Sequence, residues 1–158
     1  MSDLRVEKRR AAAELTLSSG RRVRGAFFLA GSSATHAGPE RIADLLNGET
    51  GFFPFALEGS GQLDTALYNR AQVVSVKLVG STEEATLDPG YELATERQVA
   101  MLLSNGDTIT GAVRVYRPAG RDRLSDYARA GDAFRYVESA EATFIVNMSH
   151  IVELREKA

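Results

Sequence analysis

The chain of 158 residues has no cysteine, no tryptophan and only two histidines. Without cysteine there are no disulfides, no thiolate metal sites and no thiol nucleophile, and a reducing compartment fits. Two histidines, His36 and His150, give too few partners for a hydrolytic triad or a zinc site. No stretch approaches the roughly 18 uncharged apolar residues of a spanning helix. After Arg5, Lys8, Arg9 and Arg10 the apolar run is broken by Glu14 and Thr16 and does not read as a secretory signal. The expectation is a cytoplasmic protein without a membrane partner.

An excess of either charge is missing too. Nineteen basic residues face 21 acidic ones, for a formal charge of −2 and a pI near 5.7. That balance argues against broad coating of nucleic acid, which needs a basic surface. No P-loop, paired-glycine dinucleotide motif or nucleophile elbow occurs. Neither an enzyme nor a bound cofactor is therefore expected. What is present, 44% hydrophobic and 25% charged residues, is the composition of a globular chain.

An internal repeat organises that chain. Leu17-Ser18-Ser19-Gly20-Arg21-Arg22-Val23-Arg24-Gly25-Ala26 returns as Leu103-Ser104-Asn105-Gly106-Asp107-Thr108-Ile109-Thr110-Gly111-Ala112. Arg41-Ile42-Ala43-Asp44-Leu45 returns as Arg123-Leu124-Ser125-Asp126-Tyr127, and Thr65 to Asn69 as Thr143 to Asn147. The offset falls from 86 to 82 and then to 78, so two loops are shorter in the second copy. The boundaries read as a first repeat over 1–80, an acidic linker over 81–96 and a second repeat over 97–158. Residues 1–10 form a basic N-terminal segment.

Each copy shows the same order of elements. Ala13, Leu15 and Leu17 alternate with polar residues, as do Val99, Met101 and Leu103, which predicts half-buried strands. Ser19-Gly20 and Asn105-Gly106 predict tight hairpins into a second strand. Gly25 and Gly111, at the same place in that strand, predict a bend or a close backbone approach. Ile42, Leu45, Leu46 and Leu124, Tyr127, Ala128 have helical spacing. Three further strands follow in each copy, over 52–57, 65–69 and 72–78, and over 134–137, 143–147 and 150–154.

These residues resemble the Sm-like (LSm) family of small barrels. Leu15 to Gly25 looks like the first two Sm strands, and Ala66 to Val76 and Phe144 to Leu154 are each similar to the family's closing hairpin. The resemblance implies a mainly β fold with short helices. In it, two tandem five-stranded Sm/SH3-like barrels each carry a short helix after the second strand. It also implies a habit of assembly. RNA-binding residues do not carry across, because a helix with Arg-x-x-Asp fills the first family loop. The closing turns read Asn69-Arg70 and Asn147-Met148 where the family has Arg-Gly or Lys-Gly.

Arg41 with Asp44, and Arg123 with Asp126, are spaced for an ion pair along one helix face and read as a tie between helix and barrel. Asn69 and Asn147 sit where an Asx turn closes a strand pair. The first 24 residues hold seven basic side chains against three acidic, a net of +4. Arg5, Arg9, Arg10, Arg22, Arg24, Arg121 and Arg123 are accordingly the candidates for contact with phosphate or a partner. The favoured reading is a non-enzymatic interaction or scaffolding protein whose partner is another protein or itself. The alternatives are an Sm-type nucleic-acid binder, or a cyclic-dinucleotide sensor suggested by the PilZ-like Arg-x-x-x-Arg at Arg5 and Arg9.

Overall fold

The computed structural model describes residues 8–31, 38–59, 64–80, 84, 86, 88, 90–116, 120, 122–129 and 131–157. Arg5, His36, Arg121 and the Gly-Ser loop after Gly31 lie outside them. The first copy forms β1 (Lys8–Leu17), β2 (Arg22–Ala30), α1 (Ile42–Gly48), β3 (Phe52–Leu57), β4 (Thr65–Asn69) and β5 (Val73–Leu78). The second forms β6 (Thr95–Leu103), β7 (Thr108–Val115), α2 (Leu124–Arg129), β8 (Phe134–Glu138), β9 (Thr143–Asn147) and β10 (Ile151–Glu156). The fold is mainly β with two short helices, in the order that the repeat predicts. Its last strands start one residue late, because Arg70–Gln72 and Met148–His150 are 3₁₀ turns. Asn69 and Asn147 open those turns by accepting from the Ala71 and Ser149 amides, each at 3.0 Å. Among the described residues no helix is long and apolar enough to cross a membrane.

Local chemistry explains the shared details. Gly20 and Gly106 turn their hairpins at φ 90° and 93°, where a side chain is strained. A Cβ on Gly25 would sit 2.0 Å from the Ala56 carbonyl oxygen, and one on Gly111 would sit 2.6 Å from that of Glu138. Those glycines let β3 and β8 close against β2 and β7. Even the irregularities repeat. The ladder of β5 with β1 shifts register around Val74, and that of β10 with β6 shifts around Val152, its counterpart.

The ladders do not close into two separate barrels. All ten strands form one open antiparallel sheet in the order β10-β6-β7-β8-β9-β5-β1-β2-β3-β4. Its continuity comes from β5, which pairs on one side with β1 and on the other with β9 of the second copy. Strands β4 and β10 end the sheet.

Two apolar clusters lie along it. The first gathers Leu15, Phe27, Leu29, Ile42, Leu46, Phe53, Phe55 and Val76, with Phe27 stacked on Phe53 at 5.3 Å and edge-on to Phe55 at 5.1 Å. Full burial of each such side chain stabilises by about 1.5–3 kcal/mol. The second gathers Val99, Met101, Leu103, Val113, Val137 and Val146. Each borrows from the other copy: Phe134 and Ile145 pack in the first cluster, and Val74 packs in the second.

The acidic linker is tied down at several points. Glu84 accepts from the Ile42 amide at 3.1 Å and from the Tyr136 hydroxyl at 2.7 Å, while Asp88 holds Arg41 and the Tyr116 hydroxyl. Its last two residues, Thr95 and Glu96, already belong to β6, paired with Val115 and Arg114.

Candidate functional site

Among the described residues, the arginines singled out in the sequence do not gather into one patch. In the β1–β2 hairpin, Arg9 and Arg10 lie opposite Leu29 and Phe28. Arg22 and Arg24 lie at the other end, opposite Thr16 and Glu14. The six residue steps from Arg10 to Thr16 correspond to about 20 Å of strand. Each is also engaged. Arg9 donates to the Glu40 carbonyl at 2.7 Å, and Arg10 lies over the Phe28 ring at 5.3 Å. Arg24 pairs with Glu14 at 3.1 Å, and Arg22 approaches Asp107 at 3.7 Å. Arg123 pairs with Asp126 at 3.3 Å. Exposed pairs of this kind are worth about 0–1 kcal/mol, so they stabilise little.

The repeated helix pairs are made in both copies but in different surroundings. Each helix begins with an arginine amide donating back to the aspartate, Arg41 to Asp44 at 2.9 Å and Arg123 to Asp126 at 3.1 Å. The Arg123 side chain is 68% exposed, whereas that of Arg41 is 8% exposed. Burial works against the Arg41 charge, but hydrogen bonds to Asp44 and Asp88 outweigh it and raise its pKa above the usual arginine range. Its guanidinium also lies 5.5 Å from the centre of the Tyr136 ring in the second copy. Arg70, in the 3₁₀ turn between β4 and β5, is buried. It donates to the Phe52 and Leu45 carbonyls at 2.8 and 3.1 Å and so locks β3 to the end of α1. Burial lowers its pKa.

A cavity of about 360 Å³ opens between α1, β7, α2 and β8. Arg41, Asp88, Arg114, Tyr116, Tyr136 and Glu138 are among its walls. Several of its polar groups engage one another, while Arg114 Nε is buried with no hydrogen-bond partner. Tyr91 donates to Glu138 at 2.8 Å and lies under the Arg114 guanidinium at 4.1 Å, while Arg114 also pairs with Glu96 at 3.1 Å. Burial raises the pKa of the Tyr116 and Tyr136 hydroxyls, helped by the nearby Asp88 and Glu84, and pushes Tyr127 up to about 12. This network pins the linker and the second copy to α1. Among the described residues no group of three or more histidine, aspartate or glutamate side chains could hold a metal ion.

The principal contact between the two copies is the β5–β9 strand junction. Ser75, Val76 and Lys77 of β5 face Val146, Ile145 and Phe144 of β9. Asn147, 3% exposed, donates across it to the Val73 carbonyl at 3.0 Å. His150 joins the Ala71 carbonyl through Nε2 and the Ser104 hydroxyl through Nδ1, both at 2.7 Å. The Asn47 amide clamps the Phe134 backbone, donating to its carbonyl at 2.9 Å and accepting from its amide at 2.8 Å.

At the two ends of the sheet the equivalent residues have no such cover. Phe52, Leu67 and Val152 are 62%, 66% and 66% exposed. Their counterparts Phe134, Ile145 and Val74 are 5%, 0% and 0% exposed. Leu67 and Val152 lie on the edge strands β4 and β10 and Phe52 on the neighbouring β3, and the repeat alignment pairs each of them with an apolar partner. Comparison with models of protein families, with curated proteins and with solved structures finds no match to this chain.

Proposed function

We propose that the chain is a non-enzymatic scaffold. It consists of two copies of a small five-stranded β module joined edge to edge in one open sheet, and it works by association through the two strand edges left open. The observation that carries this reading is the contrast in burial. The same apolar side chains that are covered at the internal junction stand in solvent at β4 and β10. Unpaired edges with exposed apolar residues are templates for further pairing. The engagement of Arg41, Tyr116, Tyr136 and Glu138 with linker residues, and of His150 with Ser104 and Ala71, favours a structural role over a catalytic one.

Light scattering coupled to size exclusion tests the reading. The expected mass exceeds the 17.1 kDa of one chain and rises with concentration. Leu67→Lys or Val152→Lys, each placing a charge on an exposed edge, brings it down. A wild-type chain that stays at 17.1 kDa at every concentration refutes it.

A further inference from the structure

Beyond the scaffold role, we infer that the cavity is a binding site for a small aromatic acid, a planar ring bearing a carboxylate or phosphate, whose anionic group Arg135 receives. The repeat supplies the comparison. Arg114, Tyr116, Tyr127, Arg135 and Glu138 of the cavity wall align with Phe28, Ala30, Leu45, Phe53 and Ala56 of the first copy. Each position is thus apolar in one copy and carries a polar group in the other. Phe53 is 1% exposed and stacks on Phe27, with Phe55 edge-on to Phe27. In place of those three rings the second copy has Arg135, Val113 and Val137. Arg135 is half-buried and shares its strand face with the fully buried Val137. A charge so placed costs stability unless a counter-charge meets it.

The other two arginines of the wall have theirs. Arg41 is held by Asp44 and Asp88, and Arg114 by Glu96. Among the described residues Arg135 has no carboxylate within ion-pair distance. Its Nε donates to the Asp132 carbonyl at 2.8 Å and its Nη1 to that of Tyr127, which leaves Nη2 without an acceptor among the described residues. Gly131 makes room for it, since a Cβ there would lie 3.2 Å from the guanidinium carbon. Burial lowers the Arg135 pKa, and Tyr127 and Asp132 offset this only in part. An anionic oxygen at Nη2 supplies the missing counter-charge.

The walls hold five carboxylates against three arginines, so charge alone does not draw in a bare anion. The ligand needs a body for the cavity to bury. A volume of about 360 Å³ lies at the lower end for small-molecule sites and suits one ring with its substituents. A cation fits worse. Arg114, Arg135 and Arg41 already lie over the rings of Tyr91, Tyr127 and Tyr136, at 4.1, 4.6 and 5.5 Å, so these aromatic rings already hold a cation.

Four probes with one fluorophenyl body test the chemistry on the full chain: para-fluorobenzoate, para-fluorophenyl phosphate, para-fluorobenzyl alcohol and para-fluorobenzylamine. Fluorine NMR is expected to show line broadening for at least one acid and for neither the alcohol nor the amine. The tighter acid tells carboxylate from phosphate. Inorganic phosphate at the same concentration is expected not to displace it. Arg135→Met is expected to weaken that acid about tenfold or more, the worth of one hydrogen bond to a charged group, and Arg135→Lys to weaken it less. The chain has no tryptophan and four of its five tyrosines line the cavity, so tyrosine emission is expected to change as the acid binds. Binding of neither acid, or equal binding of the alcohol or amine, overturns the inference on wild type without any variant. So does displacement by inorganic phosphate, binding that leaves tyrosine emission unmoved, or unchanged affinity in Arg135→Met. None of these results bears on the mass measurement that tests the scaffold.

Discussion

The sharpest test of how the sheet is held compares two asparagines that the repeat makes equivalent. Asn147 and Asn69 each accept from an amide two residues on, at 3.0 Å. Asn147 also sends its amide across the buried junction to the Val73 carbonyl at 3.0 Å, with Arg70 at 3.4 Å. A typical hydrogen bond contributes about 0.5–1.5 kcal/mol net, and a buried polar partner left unsatisfied costs about 1–3 kcal/mol. Asn69→Ala loses only a turn bond at the surface and is expected to cost about 0.5–1.5 kcal/mol. Asn147→Ala loses the turn bond and the buried cross-junction bond, and its expected cost is about 2–4 kcal/mol. Urea unfolding, extrapolated linearly and performed at dilution low enough to keep chains apart, reads both values with an unchanged m. Equal costs at that dilution would refute the reasoning, since the two sites would then differ in burial without differing in energy. The comparison has a second reading at high concentration. If Asn69 enters a junction between chains, its penalty grows toward that of Asn147 as association stabilises the folded state.

Other predictions follow from the same contacts. Gly25→Ala drives a methyl into the Ala56 carbonyl and the Phe55 ring, and Gly111→Ala drives one into the Glu138 carbonyl. Thermal melts should show Gly25→Ala as the worse of the two, by more than the roughly 1–3 kcal/mol usual for overpacking; a melt within error of wild type would deny the close approach. Glu84 has its pKa raised by burial, against the pull of the Tyr136 hydroxyl, the Ile42 amide, Arg41 and Arg9. Its charged form is thus disfavoured by folding, so its contribution to stability grows as pH falls through the raised folded pKa toward the ordinary carboxylate value, and is lost as pH rises. Glu84→Gln should remove that segment of the stability profile, and an unchanged profile would show that Glu84 titrates normally. Finally, fluorescence anisotropy with oligo-U and oligo-A RNA at low salt should stay flat, because Arg9, Arg10, Arg22, Arg24 and Arg123 are dispersed and each is engaged within the chain. A rise that fades with added salt would restore a nucleic-acid role.

Much of the architecture is legible in the sequence because the elements are set by local chemistry. Alternation at Leu15 and Leu17, glycine hairpins at Gly20 and Gly106, and helical spacing at Ile42, Leu45 and Leu46 each act within a few residues. Gly25 and Gly111 stand out because two copies need the same bare backbone at the same point. Reach across the chain is less readable. Nothing in β5 itself says that Ser75, Val76 and Lys77 will pair with the second copy, and the separate barrels expected from the repeat give way to one open sheet there. Arg41 and Arg123 look alike in sequence, yet only Arg41 is covered, because β8 and the linker lie over α1 while α2 ends the array. For the same reason Phe52, Leu67 and Val152 pass for ordinary core residues until their neighbours are placed.

The internal junction has a consequence for how this protein responds to dilution. Its two strands belong to one chain, so their meeting is intramolecular and its effective concentration is fixed by the linker, whatever the protein concentration. The ties from Glu84 and Asp88 to Ile42, Arg41, Tyr116 and Tyr136 shorten that tether further. Diluting the protein therefore never separates its two repeats. On the proposed reading, a change of state with concentration belongs to β4 and β10, and the smallest piece that comes free is the fused pair.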